Sequence, residues 1–141
     1  MNLILEDDIK NVESDVYLMT HTTNPLISSQ TLNSAIELYT AQDEHDSLFS
    51  VNKIQTRFYT EDMKAVNHDP DNLVRTQDLV PWFEENSCIY IFSKDSFAKT
   101  NARIGANPMM FQTPQLESVD IDEPDDWDMA YALAENLKKV K

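Results

Sequence analysis

Short apolar runs alternate along this chain with segments in which apolar residues recur at helical spacing. The runs whose composition and alternation predict β-strands lie at residues 15–20, 47–51, 56–59, 88–92 and 119–122. Residues 88–92 are apolar throughout, which is typical of a strand in the centre of a sheet. Because strands alternate with helical segments, the pattern predicts an α/β fold with a mixed or parallel sheet.

Helices are indicated between these runs. Residues 2–11 are typical of the end of a helix or of a frayed leader, and residues 32–39 are helical in spacing and follow possible caps at Ser28 and Ser29. A short helix is predicted over residues 93–99, capped by Ser93 or Asp95. A longer helix is predicted from Pro124, a residue type favoured in the first helical turn. Residues 60–80, called the excursion below, are polar without a clear period. We interpret them as a long loop or as an arm that reaches a partner.

Composition narrows the function. The 141 residues are typical of one domain, 1–141, and 25 acidic against 11 basic side chains give a net charge of −14. Such a charge disfavours nucleic acid and anionic membranes as partners. Cys88 is the one cysteine and Gly105 the one glycine, so the sequence holds no internal disulfide and no glycine-rich phosphate loop. A single cysteine, with no signal peptide and no apolar run long enough to span a membrane, predicts a cytoplasmic protein.

The sharpest candidate for chemistry is the acidic pair Asp120 and Asp122. On a strand, residues two apart project to the same face, so their carboxylates would form a site for a hard cation such as Mg²⁺. The alternative is that both acids are solvated and only precede the helix that begins at Pro124. Residue types alone do not separate these interpretations.

Two arginines are candidates for binding an anion. Arg75 could clamp a carboxylate or phosphate, or it could form a surface ion pair with Asp78 or Glu84. Arg103 lies beside Gly105, which would allow close approach of the backbone to a ligand or would only form an ordinary turn.

Polar residues follow the first predicted strand. His21 lies with Thr20, Thr22 and Asn24 where open α/β sheets bind ligands, beyond the carboxyl end of a strand. Turn chemistry ahead of Pro25 would also account for them. Cys88 lies inside the apolar run, so we expect an inert buried thiol.

Four segments in this order resemble the acylneuraminate cytidylyltransferase family. They are residues 17–26, 75–79, 85–92 and 117–122. The match covers the later portion of the family, which opens with a strand and a basic loop that grips the CTP phosphates, and this chain has no such loop. We therefore expect a fragment, a truncated open reading frame or one piece of a split enzyme.

The resemblance implies a three-layer α/β/α sandwich with a mixed sheet, like the nucleotide-diphospho-sugar transferases but without the N-terminal strands. It also implies a homodimer completed by the arm at residues 60–80. The implied reaction transfers CMP from CTP to an anionic keto-sugar acid and releases pyrophosphate. Two alternatives stay open: a non-catalytic dimerising remnant of the same fold, and a nucleotidyltransferase that uses another base.

Individual roles also follow from the resemblance. It assigns Mg²⁺ binding and catalysis to Asp120 and Asp122, and it places Tyr90 near the sugar. Arg75 would reach the sugar acid of the neighbouring subunit. His21 stands where many members have glutamine. Together with Thr20 and Arg103, these residues make up the expected substrate site.

Overall fold

The apolar run at residues 88–92 lies in the centre of a four-stranded sheet, as predicted. The computed structural model describes residues 2–139, and side chains through residue 137. The strands are β1 (Val16–Met19), β2 (Ser47–Ile54), β3 (Trp82–Ser93) and β4 (Pro108–Gln112). Their order is β1-β3-β2-β4; β3 is antiparallel to both neighbours and β4 is parallel to β2, so the sheet is mixed.

Four α-helices accompany the sheet in the described residues: α1 (Asn2–Asn11), α2 (Ser29–Thr40), α3 (Lys94–Thr100) and α4 (Pro124–Lys139). Short 3₁₀ turns occupy Thr76–Asp78 and Gln115–Glu117. The predicted caps are confirmed, because Ser28 Oγ accepts the Thr31 N–H at 3.1 Å and Ser93 Oγ accepts the Ser96 N–H at 3.0 Å. In the described residues, no helix is long and apolar enough to cross a bilayer.

Both faces of the sheet are covered, which gives three layers. On one face, Ala35 and Tyr39 of α2 pack against buried side chains of β2 and β3: Leu48, Cys88, Ile89 and Ile91. On the other face, α1 and α3 contribute Leu5, Ile9 and Phe97, which pack against Tyr90 and Phe92 of β3. The predicted α/β/α architecture is therefore confirmed.

A large bulge interrupts β3 where it pairs with β2. Phe49 pairs with Tyr90, yet Val51 pairs with Glu85, so β3 uses more residues than its partner across this stretch. Buried Asn86 holds the bulge: its Oδ1 accepts from Ser50 Oγ at 2.6 Å, and its Nδ2 donates to Thr113 Oγ1 at 2.6 Å. The next residue, Ser87, has a φ of 58°, in the left-handed region.

Three sequence predictions about strands need correction. Residues 119–122 form no strand; they are an irregular connection between the 3₁₀ turn Gln115–Glu117 and α4. Residues 56–59 form no strand either, because only a single bridge joins Tyr59 to Ala65. β4 was not predicted, and it supplies an edge of the sheet.

The excursion at residues 60–80 is mostly irregular, as predicted, and connects β2 to β3. Local contacts hold it: Gln55 Nε2 donates to the Leu79 carbonyl at 2.8 Å, and Arg57 Nη2 donates to the Val74 carbonyl at 2.5 Å. Several of its apolar side chains face solvent, including Met63, Leu73 and Val80.

Candidate functional site

Tyr90 is the centre of a polar cluster that unites three of the predicted site residues. The Arg103 guanidinium carbon lies 3.9 Å from the centroid of the Tyr90 ring. The His21 ring centroid lies 6.2 Å from that of Tyr90. The Tyr90 hydroxyl donates a short hydrogen bond to the Glu85 carboxylate and lies 3.2 Å from Ser87 Oγ. Arg103 Nη2 is 3.4 Å from Glu85 Oε1, which closes the cluster.

The local fold explains why these side chains meet. β1 ends at Met19, so His21 lies just beyond its carboxyl end, next to the central strand with which β1 pairs. The bulge in β3 turns Glu85 and Ser87 toward Tyr90, a use of bulges that is common beside functional sites. Burial raises the pKa of the Tyr90 phenol, and its hydrogen bond to Glu85 raises it further. The phenol therefore remains a hydrogen-bond donor at neutral pH.

The loop after β1 also contacts the segment that carries Asp120. The Ile121 N–H donates to the Thr23 carbonyl at 2.9 Å, and Asn24 Nδ2 donates to the Val119 carbonyl at 3.3 Å. One loop thus touches both the Tyr90 cluster, through His21, and the acidic segment, through Thr23 and Asn24.

Three buried polar atoms of this loop and of the acidic segment lack a hydrogen-bond partner among the described residues. His21 Nε2, Asn24 Oδ1 and Asp120 Oδ1 are buried and have no hydrogen-bond partner in the described structure. Since buried polar atoms in proteins are nearly always paired, such atoms in one region are the donors and acceptors that a polar ligand would satisfy.

The two aspartates differ in environment. Asp120 is half-buried and close enough to Cys88 that it helps to raise the pKa of the thiol to about 11, although burial is the larger cause. Cys88 is buried, as predicted. Asp122 is exposed, and its backbone N–H donates to Asp126 Oδ2 at 3.1 Å at the start of α4.

These residues fit a magnesium ion with few protein ligands. Asp120 has a carboxylate oxygen with no partner, and Asp122 follows it two residues later at the surface. Among the described residues, no three His, Cys, Asp or Glu side chains are grouped for a metal. Mg²⁺ is usually held by one or two carboxylates, with water and substrate phosphates completing its shell. Because residues 119–122 form no strand, however, the alternation that would place both carboxylates on one face does not hold.

The remaining predicted residues lie apart from the Tyr90 cluster. Arg75 is in the excursion, and its guanidinium makes two bonds to Asp78, at 2.7 and 3.2 Å, which is the surface ion pair considered from the sequence. Thr20 lines a cleft of about 310 Å³ between α1 and the sheet, together with Tyr17 and Phe92.

Gly105 packs against the protein's own side chains. The carboxylate of Asp46 approaches it and accepts the N–H groups of Ala106 and Asn107, at 2.9 and 3.1 Å. Between the two sequence interpretations, the described contacts favour the turn.

Sequence reasoning missed Glu85 as a member of the site. Glu85 lay within a segment that carried the family resemblance, but no periodicity shows which side chain a bulge will turn toward Tyr90. Asn24 lies in the loop after β1, where the sequence predicts either ligand binding or turn chemistry ahead of Pro25.

Comparison with known proteins supports the resemblance. No family model matches the chain. The chain is 25% identical over 156 aligned positions to an N-acylneuraminate cytidylyltransferase of Streptococcus agalactiae serotype V, and the alignment covers 97% of this chain. The serotype III relative of the same name is 24% identical with the same coverage. The chain spans about a third, 36%, of the length of these relatives.

A solved structure shows the same fold. The crystal structure of 4-diphosphocytidyl-2C-methyl-D-erythritol synthase from Anaerococcus prevotii superposes with a TM-score of 0.63 at 11% identity. The superposition covers 96% of this chain and 63% of the other. The two proteins therefore share an α/β fold with a mixed sheet between layers of helices. In sequence, the chain resembles the N-acylneuraminate cytidylyltransferases.

Proposed function

We propose that this chain is the sugar-acid-binding part of a nucleotidyltransferase of the acylneuraminate cytidylyltransferase type. Such an enzyme transfers CMP from CTP to a keto-sugar acid and releases pyrophosphate. The observation that carries the proposal is the Tyr90 cluster beside the buried, unpartnered atoms of His21, Asn24 and Asp120. The names of the relatives in Streptococcus agalactiae support it.

The proposed reaction is an in-line attack of the sugar's anomeric hydroxyl on the α-phosphorus of CTP. Asp120 and Asp122 would hold Mg²⁺, which neutralises charge on the phosphoryl oxygens when it is bound. The unpartnered nitrogen of His21 is suited to a hydrogen bond with a sugar hydroxyl, and the buried Tyr90 positions Arg103 and Glu85 beside it. Arg103 supplies positive charge for the anionic sugar.

The chain spans only part of the length of its relatives, and this determines which activity we expect of the chain alone. Since the chain spans 36% of their length and holds no glycine-rich phosphate loop, we expect the full reaction to need a further polypeptide segment. The chain mixed with CTP, Mg²⁺ and a sugar acid should release little pyrophosphate. A separately supplied segment carrying the phosphate loop should restore the release.

The excursion is proposed as the dimerisation arm. Three of its apolar side chains are largely exposed, Met63 by 82%, Leu73 by 63% and Val80 by 76%. A dimer formed through this arm would cover these apolar side chains. In such a dimer, Arg75 would be available to the sugar site of the partner.

The unpaired thiol and the use of CTP suit the cytoplasm.

A second candidate is a non-catalytic dimerising module of the same fold. The observation that favours it is the exposed apolar excursion on a chain whose sequence lacks a phosphate loop. It predicts a dimer whose heat of mixing with CTP and Mg²⁺ is that of dilution alone.

Calorimetric titration of the full chain with CTP at fixed Mg²⁺ separates these candidates. We expect Mg²⁺-dependent binding by the wild type and loss of at least tenfold in affinity for Asp122→Asn. Because Asp122 is exposed, the free energy of unfolding of this variant, measured in urea, should differ from that of the wild type by no more than about 0.5 kcal/mol. Asp125→Asn, in the first turn of α4, is the matched control and should bind as the wild type does. Equal affinity of Asp122→Asn and the wild type would contradict the metal assignment.

A further inference from the structure

Arg103 makes the loosest ion pair in the described structure. Its Nη2 lies 3.4 Å from Glu85 Oε1, whereas the Lys10–Glu6, Lys64–Asp62 and Arg75–Asp78 pairs measure 2.7, 2.5 and 2.7 Å. Arg103 is also the least exposed cation of the four, with 24% of its side chain accessible. A shielded guanidinium with one long contact to a carboxylate is incompletely neutralised.

Each partner of this pair is anchored by Tyr90. The Arg103 guanidinium lies over the buried phenol ring at 3.9 Å, within the range of a cation–π contact. The Glu85 carboxylate accepts the short hydrogen bond from the Tyr90 hydroxyl. Glu85 would therefore keep its position if its contact with Arg103 were lost, and Arg103 would keep its position on the ring.

The guanidinium has donors to spare. Arginine carries five N–H groups in a planar fork that matches a carboxylate, and the described structure gives Arg103 one hydrogen bond from a single Nη. The buried, unpartnered nitrogen of His21 belongs to the same cluster. The site therefore offers a fork for an anion and a further polar atom for the remainder of the ligand.

We propose that Arg103 binds the carboxylate of the ligand and that Glu85 is its resident counter-ion. The incoming carboxylate replaces Glu85 on Arg103, while Glu85 remains hydrogen-bonded to Tyr90. Naming the ligand a sugar acid rests on the proposed function; the exchange of one carboxylate for another rests on the geometry of Glu85, Tyr90 and Arg103. Glu85 is thus a positioning residue and Arg103 the contacting one.

The test compares a sugar acid with its uncharged methyl ester. The full chain is titrated with N-acetylneuraminate and with its methyl ester, and binding is followed by nuclear magnetic resonance. The acid should bind the wild type at least tenfold more tightly than the ester. Arg103→Gln should remove that preference, and Arg103→Lys should restore part of it, since a point charge replaces the fork.

Glu85→Gln gives the opposite result. A glutamine still accepts from the Tyr90 hydroxyl but no longer competes for Arg103, so affinity for the acid should rise about threefold, as expected for a partly exposed ion pair. Affinity for the ester should stay unchanged. Glu84→Gln, the neighbouring exposed carboxylate, and Lys99→Gln on α3 are the matched controls and should leave both ligands unaffected.

Three results of these comparisons between ligands and variants would overturn the inference. They are equal binding of acid and ester by the wild type, unchanged binding of the acid by Arg103→Gln, and a Glu85→Gln variant that weakens both ligands alike. Absence of any binding of the acid would also overturn it. The CTP titration decides the proposed function separately: if Mg²⁺-dependent CTP binding persists while the carboxylate arm fails, only this inference is lost.

Discussion

Gly105 occupies a position at which a side chain has no room. A β-carbon there would lie 2.3 Å from Asp46 Oδ1 and 2.3 Å from Ser96 Oγ. Asp46 cannot easily retreat, because its carboxylate accepts backbone N–H groups on the far side of the glycine, from Ala106 and Asn107. The single glycine of the chain is thus explained by a close approach within the fold.

We expect Gly105→Ala to lower the free energy of unfolding by about 2 kcal/mol, the usual size of an overpacking penalty. Urea denaturation followed by circular dichroism measures this change. Ala106→Ser, at the exposed neighbouring position, is the control and should unfold with the wild type. An alanine variant as stable as the wild type would mean that Asp46 moves freely, contrary to its hydrogen bonds.

The roles of individual residues could be predicted from the sequence where those roles depend on neighbours along the chain. The Ser28 and Ser93 caps and the burial of Cys88 follow from local pattern, and the structure confirms them. The need for glycine at position 105 could not be predicted, because it depends on a contact with Asp46, which precedes β2 and is remote in sequence. Contacts between distant segments leave no local signal.

At the scale of elements, the bulge in β3 is the feature that matters most for the site. Ser87 has a φ of 58°, a conformation that costs little for glycine and most for β-branched residues. We expect Ser87→Gly to be as stable as the wild type and Ser87→Val to lose about 1 to 2 kcal/mol in urea denaturation. The glycine variant controls for loss of the serine hydroxyl near Tyr90. Equal stability of the two variants would show that the backbone at this position relaxes.

The errors in predicting strands have physical causes. Alternation at residues 119–122 correctly indicated that Val119 is buried, but a strand also needs a neighbouring strand, and this segment makes only a few hydrogen bonds to the loop after β1. β4 escaped prediction because it is short and begins with Pro108, which is compatible with a strand only at an edge or at its first residue. Similarly, the bulge depends on Asn86, whose partners come from β2 and from Thr113 after β4.

At the scale of the whole molecule, the proposed arm makes a prediction about assembly. Sedimentation of the wild type should show a dimer, and the double change Leu73→Lys with Val80→Lys should raise its dissociation constant at least tenfold, because two exposed apolar side chains would become charged. Trp127→Lys, which places the same charge on an exposed aromatic of α4, is the matched control and should remain dimeric. A monomeric wild type, or a dimeric double variant, would contradict the proposal.

β1 pairs only with β3 in the described part of the chain, so the polar backbone groups on its outer side face solvent, beside the exposed side chains of Val16 and Leu18. At low ionic strength, the charge of −14 opposes association through this edge of the sheet. Added salt shortens the range of that repulsion, from about 10 Å at 0.1 M to about 3 Å at 1 M. The outer edge of β1 is then free to pair with another copy of the chain. Aggregation in concentrated salt therefore reports on the outer edge of β1 rather than on the arm. Dimerisation through the arm is best measured in dilute buffer.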